Sequence, residues 1–441
     1  MKLSGWGNHP VEDCNVQKPR DKAALKDAVL ASSAIARGNG RAYGDSALSR
    51  TNTIDMRSFN HMLGFDPETG QLIAEAGVLL SDVISAFLPQ GWFPAVTPGT
   101  RFVTLGGMVA ADVHGKNHHI DGSFGSFVDW LDVVGIDGEV TRCSRTENSE
   151  LFEWTIGGMG LTGVIIRVAC RLRPVETGWI RQTTHAAPNL DAAIDLFEEA
   201  LDATYSVAWI DCLSKGENMG RSLVMLGEHA SHSEIPEKCR ATPYPTVAKQ
   251  KLNVPFNLPG FCLNRYSVRA FNALYYWSGS RSDRTSYVNW NSYFYPLDSI
   301  QNWNRIYGRK GLAQFQCVIP LDHARTGLND MLTEISEAGQ GSFLAVLKRF
   351  GAQESRFSFP MEGYTLALDF PVSEKSIALV SKLGQMTADY AGRVYLAKDS
   401  CLAAQDLKDM DEVRVANFSA MRERTGVNKQ FSSMQSERLM L

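Results

Sequence analysis

Three glycine-rich stretches carry most of the residues able to do chemistry. The first is Gly38-Asn39-Gly40-Arg41-Ala42-Tyr43-Gly44-Asp45-Ser46. Its three glycines allow tight turns that aim successive backbone N–H groups at an anion such as a pyrophosphate. It is not a Walker loop, because no Gly-Lys-Ser/Thr follows, and its spacing does not fit the Rossmann fingerprint. Taken alone, a glycine turn with no ligand explains it equally well. The second group comprises Thr97-Pro98-Gly99-Thr100, Thr104-Leu105-Gly106-Gly107, Asp112-Val113-His114-Gly115-Lys116-Asn117-His118-His119 and Gly122-Ser123-Phe124-Gly125. Glycines here alternate with residues that donate, accept or titrate, as close backbone approach to a cofactor requires. The neighbours His118 and His119 cannot easily face one metal ion, so no metal is expected. The third is Gly157-Gly158-Met159-Gly160-Leu161-Thr162-Gly163, which also reads as a bare turn between strands. Three clusters in one stretch favour an extended ligand, since a dinucleotide needs several separate loops and a mononucleotide does not.

These loops need a frame. Lys22 to Leu30 has helical spacing and leads into the first glycine loop. Gln71 to Val78 reads as a strand, and Leu80 to Leu88 as a helix capped at Ser81. Two β-rich stretches, Leu131 to Ile136 and Gly163 to Val168, flank a turn at Asp137-Gly138 and the third glycine cluster. The pattern predicts an α+β domain ending near residue 177. Beyond it, helical patterns from Leu190 to Leu201 and Leu328 to Ala338 interleave with strand-like runs such as Gln314 to Ile319, predicting a second α+β domain to about residue 392.

A chain of 441 residues exceeds the usual size of one core and leaves room for a cleft between two domains. A net charge of -4 gives no general attraction to nucleic acid. The eight cysteines are scattered without a CxxC pair, which disfavours a zinc site or a disulfide framework. No apolar run approaches the roughly 20 residues of a membrane span, and the start of the chain lacks a signal-peptide core, so a cytoplasmic protein is expected. Peripheral membrane contact stays open. From residue 238 to 282 there is no acidic residue, while Lys238, Arg240, Lys249, Lys251, Arg265, Arg269 and Arg281 alternate with Phe256, Phe261, Tyr266, Phe271, Tyr275, Tyr276 and Trp277. A loop that merely lacks acids is the competing reading.

Four ordered groups together resemble the decaprenylphosphoryl-β-D-ribose 2-oxidase family of the vanillyl-alcohol oxidase (p-cresol methylhydroxylase-type) flavoproteins. They are Gly40-Arg41-Ala42-Tyr43-Gly44-Asp45; His114 to His119 with Gly122 to Gly125; Tyr295-Pro296-Leu297-Asp298 with Trp303-Asn304; and Tyr395-Leu396-Ala397-Lys398-Asp399-Ser400. The match continues to Phe431-Ser432-Ser433 and Arg438-Leu439. The resemblance implies a two-domain PCMH-type FAD-binding fold. Residues 1–177, completed by 393–441, would bind FAD, and 178–392 would form an antiparallel-sheet substrate domain. It assigns FAD to Gly38, Asn39, Gly40, Arg41, Ala42, Tyr43, Gly44, Asp45 and Ser46, to Gly99, Thr104, Leu105, Gly106 and Gly107, and to Ala111, Asp112, Val113, His114, Ile165 and Tyr395.

The resemblance also implies that Lys398 sits beside the isoalloxazine, where a cation stabilises the anionic reduced ring. His114 and Tyr43 become candidates for proton handling or positioning, and Lys116, Gln314, Gln316 and Lys348 for the substrate pocket. The first loop offers Tyr43 where many sugar oxidases tether the flavin through histidine, so non-covalent FAD is expected. Ala367 stands where family members carry a cysteine, and Phe294-Tyr295 where they carry Tyr-His, changes expected to line the pocket. The implied activity is oxidation of a secondary hydroxyl, ribose C2 on a polyprenyl phosphate, as the first half of an epimerisation to arabinose in a cell-wall polysaccharide precursor. A separate NAD(P)H-dependent short-chain reductase would complete it. The alternatives are an aldonolactone or alditol oxidase acting on a free sugar, and a non-catalytic sugar-binding protein, against which Tyr43, His114 and Lys398 together argue.

Overall fold

The computed structural model describes residues 1–246, 252–259, 263–281, 284–342 and 344–441. Lys249, Lys251, Phe261 and Cys262 lie outside the described residues. The chain is a mixture of helices and mostly antiparallel sheets. Near the start, three short strands, Val16–Gln17, Thr53–Asp55 and Ile35–Arg37, pair in parallel, and the helix Lys22–Ala31 packs Leu25, Ala28 and Val29 beneath them. Asp21 caps that helix by accepting from Ala24 N at 2.9 Å. The first glycine loop leaves the end of Ile35–Arg37, so a buried strand fixes its origin.

The second sheet is antiparallel, with Val140–Ser144, Val128–Val134, Val164–Pro174, Gln71–Glu75 and Met62–Asp66 side by side and Trp92–Pro94 on the end of the long central strand. The expected turn sits at Gly138, whose φ of 75° lies in the left-handed region open to glycine. The helix Leu80–Phe87 occurs, but Leu79 precedes it without a side-chain cap and Ser81 lies inside its first turn, so the expected cap at Ser81 is corrected. Leu80, Val83, Ile84 and Phe87 bury its inner face, and this packing replaces the cap as its support.

The third sheet has eight antiparallel strands, in the order Arg284–Asn289, Trp179–Ala187, Ser222–His229, Tyr205–Ile210, Val346–Phe350, Gly363–Pro371, Leu312–Pro320 and Arg393–Val394. Three helices, Leu190–Glu199, Leu321–Ala338 and Glu374–Asp389, contribute their apolar faces to the core beside it. The second of these begins at Leu321 rather than Leu328, because Pro320 ends the strand and opens the helix directly. Leu396, Leu402, Leu407 and Leu439 from the C-terminal stretch enter the same core, while Tyr205, Trp290 and Phe294 enter the core of the second sheet. Apolar packing therefore crosses the boundaries expected at 177 and 392.

Candidate active site

One cavity of about 620 Å³ opens where the glycine loops meet the eight-stranded sheet. Its first wall is backbone. Gly38 through Tyr43 with Ser46, Gly99, Thr104, Gly106 and Gly107, Ala111, Val113 and His114, and Ile165 all line it, as do Met159, Gly160 and Gly163 of the third glycine cluster. Close approach explains the glycines. A Cβ on Gly38 would meet Thr104 Oγ1 at 2.2 Å, and Gly40 has a φ of +64°, while a Cβ on Gly99 would meet nothing within 4 Å. Thr104 caps the helix Leu105–Ala110, accepting from Gly107 N at 3.3 Å, which holds this glycine pair against the cavity.

The opposite wall follows from strand register. Gln314 pairs with Asp369, Gln316 with Ala367, Ala367 with Val346, and Lys348 with Thr365. Side chains two apart on a strand share a face, so Gln314, Gln316, Lys348, Val346, Ala367 and Asp369 converge on the cavity they line. Tyr395 and Lys398 complete it from the turn after the last strand. Backbone bonds fix that turn: Tyr395 N donates to Gln316 O at 2.9 Å, Lys398 N to Tyr395 O at 2.9 Å, and Tyr43 N to Ala397 O at 2.9 Å. The Tyr395 hydroxyl donates to Ala111 O at 2.9 Å. Thus Tyr43 and Lys398, far apart in sequence, meet with Lys398 Nζ 3.9 Å from the Tyr43 ring centre.

The electrostatics centre on Lys398. Burial pulls its ammonium down to about 7 while Asp369 opposes that shift, and Lys348 adds to it. Burial pushes the Asp369 carboxyl up to about 7 against the hydrogen bond it accepts from Gln314 and the attraction of Lys398. The two groups titrate as a pair. Burial raises the Tyr43 hydroxyl well above its ordinary value, so it stays protonated. Burial, with Lys348, His118 and Lys398, lowers His114 far below 6.5, so the ring is neutral. Gln316 Nε2 lies 2.9 Å from His114 Nε2 and 3.1 Å from the hydroxyl of Thr365. With the amide donating, the ring proton sits on Nδ1, which is buried and has no protein acceptor. Burial also lowers Lys348, to about 8, and no carboxylate compensates it.

Five residues expected at the site stand behind its walls. The Gly44 backbone packs against Asp399, where a Cβ would meet the carbonyl oxygen at 2.0 Å. Asp45 pairs with Arg438 at 2.8 Å, and Arg438 also holds Asp399 at 2.8 Å, tying the loop to the C-terminus. Leu105 is core. Asp112 is fully buried, accepting from Ser123 Oγ at 2.7 Å, Gly125 N at 2.8 Å and Gln353 Nε2 at 3.0 Å. Lys116 does not line the cavity; its ammonium donates to Tyr293 O and lies 4.0 Å from that ring's centre. Of the family departures, Ala367 lines the cavity, whereas Phe294 and Tyr295 are buried in the core, Phe294 against Phe93 and Tyr205. Asp369 was missed because strand register, which no local pattern encodes, sets it opposite Gln314. His118 and His119 spend their Nε2 atoms on Gln353 and on Ala203 O, each at 2.8 Å. Among the described residues no cluster of His, Cys, Asp and Glu could hold a metal ion.

An elongated anionic cofactor with a flat ring suits this cavity. Glycine backbone offers close approach, and Arg41, stacked 4.1 Å from the Trp6 ring centre, has a buried Nε without a partner. The unpartnered His114 Nδ1 adds a second donor. Residues 16–144, which supply most of the backbone wall, match the FAD binding domain family. The protein is therefore an FAD-dependent oxidoreductase. Over its whole length it is 33% identical to decaprenylphosphoryl-β-D-ribose oxidase of Mycolicibacterium smegmatis, covering 97% of that protein. An uncharacterised protein of Streptomyces coelicolor is 29% identical over 82% of this chain and all of its own length. Similarity to the L-gulonolactone oxidase of Mus musculus, at 29% identity, covers only 35% of this chain and 36% of that one. The chain belongs to the decaprenylphosphoryl-β-D-ribose oxidase family.

Proposed function

We propose that the protein oxidises the C2 hydroxyl of a ribose carried on a polyprenyl phosphate to a keto-sugar, the first half of an epimerisation to arabinose. The observation that carries this reading is Lys348. It lines the cavity beside Gln314 and Gln316 with no hydrogen-bond or ion-pair partner among the described residues, and no carboxylate offsets the burial that lowers it to about 8. A cation left unpaired in a partly apolar wall favours an anionic substrate, and a phosphate-linked pentose supplies that charge where a free aldonolactone or alditol does not. Full-length similarity to an oxidase of such a substrate supports the same choice.

FAD, held by the glycine loops and Arg41, would supply the acceptor for the hydride of the sugar carbon, while the hydroxyl proton would leave to water at the cavity. Lys398 places positive charge at the cavity wall, and Asp369 partly offsets the burial that lowers that ammonium to about 7. Tyr43 presents a protonated hydroxyl and His114 a neutral ring, so both serve as positioning groups on the substrate side. Gln314, Gln316 and Lys348 bind the sugar phosphate, and Lys116 supports the wall from behind. Among the described residues His114 is the only histidine lining the cavity, no cysteine lines it, and His114 Nε2 is engaged by Gln316, which supports FAD held without a covalent bond. For domains of 1–177 with 393–441 and of 178–392, the eight-stranded sheet supports the division at 177, since its first strand begins at Trp179, while its edge strand Arg393–Val394 comes from the C-terminal segment.

Return of hydride to the opposite face of the keto-sugar falls to a separate NAD(P)H-dependent short-chain reductase. Purified protein, a polyprenylphosphoryl ribose and an electron acceptor should give a keto product that such a reductase converts to the arabinose epimer. Turnover of a free aldonolactone with none of the phosphate-linked ribose would reverse the assignment.

A further inference from the structure

The surface beside the cavity mouth departs from the pattern of a solvated helix. The helix Arg265–Ser280 turns Val268 and Asn272 inward, with Tyr276 and Gly279 partly covered on the same side. Asn272 is tied to Asp211 at 2.7 Å, and the Tyr276 hydroxyl donates to Ala187 O at 3.2 Å. The outward stripe of a surface helix is ordinarily polar. Here it runs Tyr266, Ala270, Leu274, Trp277, with Leu274 64% and Trp277 51% exposed. Phe271 and Tyr275 flank it, stacked at 5.8 Å. The charges beside this stripe are of one sign: Arg265, Arg269 and Arg281, the last lying 3.7 Å from the Trp277 ring centre. No acid occurs between Glu237 and Asp283 in a chain whose net charge is -4.

The stripe is joined to the cavity. Leu263, just before the helix, packs in a cluster with Tyr43 and Trp303, both of which line the cavity. The preceding strand Leu252–Asn253 pairs in parallel with Ile300–Gln301, whose residues also line it. Arg305 clamps the carbonyls of Val254 and Pro255 at 3.2 and 2.9 Å, and this rim presents Leu252 and Phe256 to the outside, 60% and 63% exposed.

We propose that the helix Arg265–Ser280, together with Leu252 and Phe256, docks the protein on the surface of an anionic bilayer with the cavity mouth facing the headgroups. Exposed aromatic and leucine side chains enter the interface while arginines pair with anionic headgroups, the combination by which interfacial helices bind. The purpose assigned to this docking rests on the proposed lipid-linked substrate, whose sugar phosphate would enter the cavity while its polyprenyl tail stays in the membrane. Among the described residues no helix is long and apolar enough to cross a membrane.

Co-sedimentation of the FAD-loaded protein with phosphatidylcholine–phosphatidylglycerol vesicles free of substrate tests the docking alone. The wild type should bind at low salt and be released by added salt, with weak binding to pure phosphatidylcholine. Arg265→Gln, Arg269→Gln and Arg281→Gln combined should weaken binding roughly a hundredfold. Leu274→Asp with Trp277→Asp should abolish it. Both variants alter exposed side chains, and unchanged circular dichroism would show intact folds. A soluble short-chain ribosyl phosphate should reduce the flavin of wild type and variants equally. No binding by the wild type at low salt overturns the proposal, as does binding that neither variant weakens. Sedimentation velocity showing a dimer dissolved by Leu274→Asp with Trp277→Asp, without vesicle binding, would assign the face to a second copy and also overturn it. Vesicle binding that behaves as expected while no phosphate-linked ribose reduces the flavin would leave the docking standing and remove the proposed substrate.

Discussion

Replacing Asp369 by asparagine keeps the shape of the carboxyl and removes its charge. Asp369 is the one group raising Lys398 against burial and against the like charge of Lys348, and the balance leaves the ammonium at about 7. An opposite charge nearby is worth about 1 to 3 pH units to such a group. Its loss should move Lys398 at least about one unit lower, so that at pH 7 the charged fraction falls from near half to under about a tenth. If a cation at this wall stabilises the electron-rich ring, Asp369→Asn should slow flavin reduction about fivefold or more at pH 7 and recover towards the wild-type rate on acidification. The pH profile should therefore shift to acid by at least about one unit. Lys398→Met should lose at least about a hundredfold at and below pH 7, with the fold and most of the FAD retained and the gap narrowing as alkaline pH neutralises the wild-type ammonium. Stopped-flow reduction under anaerobic conditions from acid to alkaline pH is the assay. An Asp369→Asn profile that overlays the wild type would refute the coupling, and near-normal reduction by Lys398→Met would make that lysine structural.

Acid denaturation should release all the FAD into the supernatant, and a yellow pellet would show a covalent bond. Gly38→Ala places a methyl against Thr104 Oγ1, at 2.2 Å before relaxation, and disturbs the cap of Leu105–Ala110; a strain of about 1 to 3 kcal/mol should weaken FAD binding roughly tenfold or more in a fluorescence titration. Lys348→Gln should raise KM for a phosphate-linked ribose at least about tenfold, the loss of one charge-assisted contact, with a smaller effect on kcat. Lys116 is lowered by burial to about 7 in the fold, so between there and the ordinary lysine value of 10.5 the unfolded chain holds more protons and stability rises with pH. Lys116→Met should remove up to about 1.4 kcal/mol per pH unit of that rise in urea unfolding, and an unchanged slope would contradict its burial.

Elements with strong local signals were legible in the sequence. The helix Lys22–Ala31 shows its spacing, and the strand Leu312–Pro320 shows its apolar run. The glycine loops announced a cofactor because glycine at positive φ, as at Gly40, reports a backbone need rather than a side-chain preference. What stayed hidden depends on register and long-range packing. Asp369 reads as one more strand residue until Gln314 is set opposite it. Asp45 reads as a loop ligand until Arg438, from the end of the chain, takes its carboxylate. Lys116 sits two residues from His114, yet its ammonium turns to the Tyr293 carbonyl, which sequence proximity cannot reveal. Phe294 and Tyr295 were expected in the pocket, but they complete an aromatic core with Phe93, Tyr205 and Trp290. Motif positions thus located the cavity, while the division of labour between its lining and its supports came from tertiary structure.

Anaerobic bleaching of the bound flavin tests the central claim most directly. A polyprenylphosphoryl ribose, or a short-chain analogue retaining the phosphate, should reduce the flavin in a single fast phase, and Lys348→Gln should need at least about tenfold more of it to do so. Rapid bleaching by a free aldonolactone or alditol, with no reduction by any phosphate-linked pentose, would contradict the account.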